Sequence, residues 1–522
     1  MTYDAILIGS GHNALAAAVV LARAGWKVVV FEQAREVGGG VRTAEWTLPG
    51  FHHDSFANRH LLIFLTSFYR QFAPQLRRHG LRYLRFDLPA ATLFPDGDLV
   101  ALHRDLSHTL ASLTRQSAAD ADGWRRLYRL YSNLRAGISA LLNSPVPAAG
   151  SLQALANARL RLGSRGNVDF AHLMTMSVRD MADRFFTQEK AKAWFAPWAF
   201  HADHTPETAG GAVLAWIALA AAQDPRAGLA IPEGGSGRLT QALAALLQSL
   251  GGEVRTGTRV TRILLRGTTA CGVELSGGAR VVARRAVVAG VPPTHLFLDL
   301  IGEDLLPPGF GRLVRAYRYG PSVVKLDFAL SCRPAWIAAE AGEAGNLHLT
   351  RSVDDISLAC NQALRGYLPE EPLLLVSQPT VVDPGRAPPG RHVLWVEARS
   401  VPFAVAGDAA GVIPPGPWER IKEPFADRVA LLETYAPGFR QCILARNVLS
   451  PADLERLNPN FVRGDAGAGS HLLDQFYLFR PLPGWSRFRT PFRRLYMTGA
   501  STHPGIGVSC ASGHAVARML LG

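Results

Sequence analysis

Residues 3–32 read YDAILIGSGHNALAAAVVLARAGWKVVVFE, and this stretch constrains the fold more than any other. A short apolar run ends at Gly9. Residues 13–23 then have the pattern of a helix that Gly25 stops, and residues 27–31 (KVVVF) read as a second strand, apolar from Val28 on, as a strand buried on both faces requires. Strand, tight turn, helix and second strand make a complete βαβ unit. Gly9 permits the turn, Gly11 lets the backbone approach a pyrophosphate, and position 14 needs only a side chain small enough for helix and strand to pack, which Ala14 supplies. The pyrophosphate is expected at the helix N-terminus, where free N–H groups and the positive dipole end favour anions. Glu32, at the end of the second strand, suits a ribose diol and repels a 2′-phosphate. The unit therefore predicts FAD or NAD in preference to NADP.

Three further segments bear on that choice. Residues 38–43 (GGGVRT) form a second glycine-rich loop followed by Arg42, which suits a long cofactor approached by backbone from two sides. Residues 231–263 predict a glycine turn, an amphipathic helix, a Gly-Gly turn and two short strands. Residues 495–521 predict a strand, a turn rich in Gly and Pro, and a closing helix that starts near Gly505 and turns its N–H groups toward a cofactor ring.

Together, GSGHNALAAA, the Glu32–Gly38–Gly39–Arg42 spacing, PEGGSGRL at 232–239 and GASTHPGIGVS at 499–509 resemble FAD-dependent phytoene desaturases. The likeness is to the branch with flavin-type carotenoid ketolases and pyridine nucleotide-disulfide oxidoreductase domain proteins. Segments 383–396, 450–455 and 472–491 extend it in the same order. The resemblance implies an α/β fold: a discontinuous Rossmann-type FAD-binding domain of the amine oxidase/desaturase kind with an inserted α+β substrate domain. It places the FAD-binding domain at 1–97, 230–301 and 447–522, and the substrate domain at 98–229 (helical) and 302–446 (β-sheet). It further implies FAD contacts from Gly9, Gly11, Asn13 and Ala14 to the pyrophosphate and from Glu32 to the ribose. Gly39 and Arg42 would lie along the phosphates and ribityl chain, Val260 at the adenine, and Gly499, Ala500, Pro504, Ile506 and Gly507 near the flavin. The chain departs from the wider group at Gly40, where many relatives have arginine, and at Ser512-Gly513-His514, which leaves substrate choice open. No catalytic acid or base is assigned, because the flavin itself is the electron sink.

The resemblance implies dehydrogenation or ketolation of an apolar polyene or isoprenoid, with hydride passing to flavin N5 and electrons onward to oxygen or a quinone. A flavin amine oxidase is the enzyme alternative, and a lipid-escort protein on the same scaffold the non-catalytic one. Charged residues are 19% of the 522-residue chain and the net charge is +13, but the arginines are scattered and no nucleic-acid module is visible. Solvated helix faces account for the basic clusters at 77–85 and 124–135, with a membrane surface left open as a partner. Residues 151–162 read equally as an interfacial or an ordinary surface helix, and residues 210–222 as a buried helix too short to span a bilayer. With the first strand at the N-terminus, no signal peptide is expected. The five cysteines, odd in number and widely spaced, argue against a disulfide framework and for a reducing compartment, hence a cytoplasmic protein with peripheral membrane attachment left open. His52-His53 and His201-Ala202-Asp203-His204 lack the helical spacing of a zinc pair, so no metal is expected; His503 reads equally as a flavin contact or as a brace for its turn.

Overall fold

The computed structural model describes residues 1–147, 153, 156, 157, 166, 168–429 and 432–522. Thr2–Ile8 is the central strand of a seven-stranded sheet, parallel to Val28–Phe31 on one side and to Arg280–Ala289 on the other. Residues 5–8 are buried, as a parallel strand covered by helices must be. Glu253–Arg255 extends the sheet beyond Val28–Phe31. On the other side, the hairpin Val260–Arg266 and Thr269–Leu275 leads into Arg280–Ala289, whose second half takes Leu495–Met497 as a parallel neighbour. The helices His12–Arg23, Gly237–Ser249 and Ala511–Leu521 pack together against this sheet around Leu15, Val19, Leu243 and Val516. The fold is α/β, with a Rossmann-type sheet assembled from segments far apart in sequence and large regions inserted between them.

The second sheet is also seven-stranded, in the order Ile443–Leu449, Ser322–Leu330, His392–Val401, Leu373–Ser377, Asn346–Leu349, Ala90–Leu93, Leu99–Leu102. Only the Asn346–Leu349 and Ala90–Leu93 pair is parallel. The boundary expected at 97/98 falls inside the hairpin Ala90–Leu93/Leu99–Leu102, and that at 446/447 inside Ile443–Leu449. Both belong to this second sheet, because backbone pairing continues past the points where composition changes. A helical layer, including Leu106–Gln116, Ala118–Asn143 and the apolar Gly211–Gln223, covers one side around Trp124, Trp194 and Trp216. Trp216 Nε1–H donates to the carbonyl of Leu127 at 2.9 Å, which fixes the apolar helix against the long one.

Two expectations are corrected by the fold. Cys332 and Cys442 are disulfide-bonded, with Cα atoms 5.5 Å apart. They flank the antiparallel pair Ser322–Leu330 and Ile443–Leu449, in which Leu330 faces Ile443, so pairing across 110 residues of sequence brings them together. The closing helix begins at Ala511, not near Gly505. Gly505 (φ 98°) and Gly507 (φ 111°) are in the left-handed region, which ends helical continuity through this segment. Apart from Gln153, Ala156 and Asn157, the segment 151–162 lies outside the described residues. No helix among the described residues is long and apolar enough to cross a membrane.

Candidate active site

One cavity of about 1380 Å³ is lined by Gly9, Gly11, Asn13, Ala14, Glu32, Gly39, Arg42, Val260, Gly499, Ala500, Pro504, Ile506 and Gly507. These are all the residues the sequence singles out for the cofactor, brought together from three distant stretches, 9–42, 260 and 499–507. At one end the N–H of Gly9 donates to the Phe31 carbonyl (2.8 Å) in the φ 89° conformation that only glycine adopts cheaply. Gly11 differs. It caps the first helix at φ −64°, and a Cβ built there meets nothing within 4 Å, so neither backbone conformation nor packing within the chain demands glycine. The demand is for open space in front of the helix N-terminus. The second glycine loop closes on the first: Gly38 N–H donates to the Ser10 carbonyl at 3.2 Å, and a Cβ on Gly39 would come within 3.2 Å of Gly11 Cα. Glu32 is held ready by three donors, the Ser10 N–H and hydroxyl on Oε2 and the Ala34 N–H on Oε1, each at 2.8 Å. Gly40 accommodates the ring of Phe461, whose Cζ lies 3.0 Å from a Cβ built at that position.

The C-terminal turn is held from behind. Arg480, fully buried, donates to the carbonyls of Gly467, Gly469, Ser470 and Ala500. His471 Nε2 accepts the Ile506 N–H at 2.9 Å, while its Nδ1 lies 3.6 Å from Asp203. Burial first, and Arg480 second, push the His471 imidazole well below its ordinary value, which keeps the Nε2 lone pair free to accept. The Gly505 N–H donates to the Thr502 carbonyl at 2.8 Å. The expectation that these two N–H groups face the ring is therefore corrected: both already have acceptors within the chain. His503 Nε2–H donates to the Leu141 carbonyl at 2.9 Å and braces the turn against the long helix, while its buried Nδ1 has no partner among the described residues and the residue lines the cavity. Ser512, Gly513 and His514 pack behind the turn and do not line the cavity; a Cβ on Gly513 would sit 1.7 Å from the Asn13 carbonyl oxygen.

Beyond the turn the cavity wall becomes apolar, with Leu141, Phe170, Met174, Leu214 and Ile217 from the helical layer. One patch there is charged. Arg59, Lys325, Trp395, Glu397 and Arg399 line it, the last four from neighbouring strands in which Lys325 faces Glu397. The sequence does not reveal this patch, because period-two strands give no sign of which face a cavity will occupy. Among the described residues no three His, Cys, Asp or Glu side chains group as a metal site; His53 faces Asp327 at 3.5 Å and shares a hydrogen bond with Thr47 at 2.8 Å.

A family profile described as flavin containing amine oxidoreductase matches residues 15–422. The chain belongs to the flavin containing amine oxidoreductase family. Among relatives of this family member, the mouse pyridine nucleotide-disulfide oxidoreductase domain-containing protein 2 is 30% identical, over 99% of this chain and 93% of that one. A component of the limonene dehydrogenase of Castellaniella defragrans is 28% identical, over 99% of this chain and 94% of that one. The solved structure of wild-type putrescine oxidase bound to putrescine shares the fold at a TM-score of 0.60, covering 100% of this chain and 98% of that chain at 15% identity. The residues present fit the family's flavin dinucleotide: among the described residues the space before Gly11 is open, Asn13 Oδ1 is buried without a partner, and Arg42 lines the cavity with no hydrogen bond or ion pair from its side chain.

Proposed function

We propose that this chain is an FAD-dependent oxidoreductase that takes hydride from a largely apolar substrate. The observation that carries the reading is the single cavity that runs from the two glycine loops, past the C-terminal turn, to an apolar wall. In this reading Gly9, Gly11, Asn13 and Ala14 receive the pyrophosphate, Glu32 the ribose, and Gly39 and Arg42 the phosphates and ribityl chain. Val260 meets the adenine, and Gly499, Ala500, Pro504, Ile506 and Gly507 border the flavin. When bound, the flavin supplies the hydride acceptor. The chain supplies orientation and dryness: Arg480 and His471 fix the turn, and the helical layer excludes water from the substrate.

An isoprenoid substrate is supported by the apolar wall and by a relative named for limonene, an isoprenoid hydrocarbon. Amine oxidation is the second reading, and the comparisons favour it: the family description names amines, and a putrescine oxidase shares the fold. Against it, Glu397 is ion-paired with Arg399 and Asp327 with Lys325, which leaves neither carboxylate free for an ammonium group. Oxygen or a quinone would take the electrons, and a membrane surface would deliver a water-insoluble substrate. The test is anaerobic reduction of the purified holoprotein by a panel of isoprenoids, polyenes and amines, followed by reoxidation with oxygen or quinone. Bleaching by amines alone rejects the isoprenoid reading, and a protein that neither carries nor takes up FAD rejects both enzyme readings in favour of the escort alternative.

A further inference from the structure

At the charged patch, donors outnumber acceptors. Arg59 has no hydrogen bond and no ion-paired carboxylate among the described residues; its guanidinium lies against the face of Trp395, with Cζ 5.7 Å from the ring centre. Lys325 approaches the same ring at 6.0 Å. The indole Nε1–H of Trp395 and the Nδ2 of Asn58, both in side chains at least nine-tenths buried and both lining the cavity, have no acceptor among the described residues. The carboxylates nearby are ion-paired: Glu397 Oε2 lies 2.6 Å from Arg399 Nε, and Asp327 is shared by Lys325 and His53, although Glu397 Oε2 and Asp327 Oδ1 accept no hydrogen bond among the described residues. Arg399 also donates to the Phe200 carbonyl at 2.6 Å. His201 and His348, the nearby imidazoles, are pushed below their ordinary values by burial and by the two arginines, so both stay neutral and neither adds a charge. Among these five groups, Arg59, Lys325 and Arg399 against Glu397 and Asp327, there is an excess of one positive charge.

We propose that Arg59, with Trp395 Nε1 and Asn58 Nδ2, forms a site for the carboxylate of a substrate or product whose remaining body is apolar. The inference rests on the reading that this cavity holds the substrate. A half-buried cation that pairs with no carboxylate among the described residues gains from an anion placed against it, and a monoanion supplies that. The planar guanidinium suits the two oxygens of a carboxylate, and the single excess charge matches one negative charge better than a diphosphate's several. Burial pushes the Arg59 guanidinium down to about 9, with Glu397 opposing that effect, so it remains charged at neutral pH and still wants a partner. From there the wall is made by Leu61 and Leu62 of the same loop and by Leu141, Leu214 and Ile217, a surface for hydrocarbon.

The test is calorimetric titration of the holoprotein with decanoate, decanol and decylamine, which share a chain and differ in the head group. Decanoate is expected to bind at least tenfold more tightly than either of the others. In Arg59→Met decanoate should fall to the decanol level with decanol unchanged, and Arg59→Lys should recover part of the difference. Trp395→Phe, which keeps an aromatic ring and deletes the N–H, should weaken decanoate severalfold, and it serves if Arg59→Met does not fold. Equal affinities for decanoate and decanol in the parent, a preference for decylamine, or a decanoate preference that survives Arg59→Met or Trp395→Phe overturns the proposal. FAD content, read from the same preparations, separates the two claims: flavin present without the preference sinks the carboxylate site alone, and the preference without flavin supports the site while sinking the flavin reading.

Discussion

Arg480 donates twice to one oxygen, the carbonyl of Ala500, through Nε at 2.9 Å and Nη2 at 2.7 Å. Its remaining N–H groups satisfy carbonyls of the 467–470 loop, so one buried cation ties that loop to the strand end from which the C-terminal turn departs. Arg480→Met would leave the carbonyls of Gly467, Gly469 and Ala500 without this donor and Ser470 with only the Gln475 Nε2 at 3.4 Å, at a cost on the order of 1–3 kcal/mol for each group that finds no water. We expect a lower denaturation midpoint and early flavin release on heating, both followed by absorbance. Arg480→Lys should recover little, because an ammonium lacks the planar fork. A parental midpoint in Arg480→Met would contradict the role given to this residue.

Gly11 and Gly513 should separate cofactor retention from folding. A Cβ at Gly11 has no atom of the described residues within 4 Å, so Gly11→Val is expected to fold, with a helix-capping cost of about 1 kcal/mol, and to lose FAD. Gly513→Ala drives a methyl group into the Asn13 carbonyl and should destabilise the apoprotein itself by about 1–3 kcal/mol or more. Denaturation curves of the two apoproteins beside flavin content of the two holoproteins make the comparison.

Gly507→Val forces a branched residue to φ 111° and its Cβ within 2.7 Å of Leu62 Cδ1, so the turn has to shift. FAD is expected to remain bound through the distant glycine loops, while anaerobic reduction slows by about tenfold to a hundredfold, the usual penalty for roughly 1 Å of misplacement. Parental reduction rates would reduce this turn to a structural corner.

Acid should destabilise the protein earlier than its carboxylates alone would require. Burial pushes His53 and His503 down to about 4 and His60 to about 3, from an ordinary 6.5. The unfolded chain therefore binds more protons than the folded one between pH 6.5 and about 3–4. The stability from keeping these rings neutral is full above pH 6.5 and is lost as pH falls through that window, by up to about 1.4 kcal/mol per pH unit for each ring. Urea denaturation at pH 8, 6, 5 and 4 should show a falling midpoint below pH 6.5; a flat profile down to pH 4 would refute it.

The nucleotide end of the cavity was legible in the sequence because its requirements are local. A tight turn at Gly9, an open helix start at Gly11 and an acid after the second strand are set within one βαβ unit, and the pattern of buried strand and small-residue helix carries them without distant partners. The C-terminal segment was legible as a turn and helix, but not where the helix begins, because the left-handed backbone at Gly505 and Gly507 and the capture of the Ile506 N–H by His471 depend on a loop packed from elsewhere. Tertiary structure alone decided the rest. Arginine, lysine and glutamate read as surface residues until strand register sets Lys325 opposite Glu397 and the pleat turns Trp395, Glu397 and Arg399 to one face. Whether a charge is paired depends on the side chain's final direction: the pleat sets Arg399 beside Glu397, two residues back on the same strand, while Arg59, more than three hundred residues away in sequence, is brought to the face of Trp395 and to no paired carboxylate among the described residues. The Cys332–Cys442 pair follows the same rule: spacing along the chain says little about a bond that strand pairing creates across it.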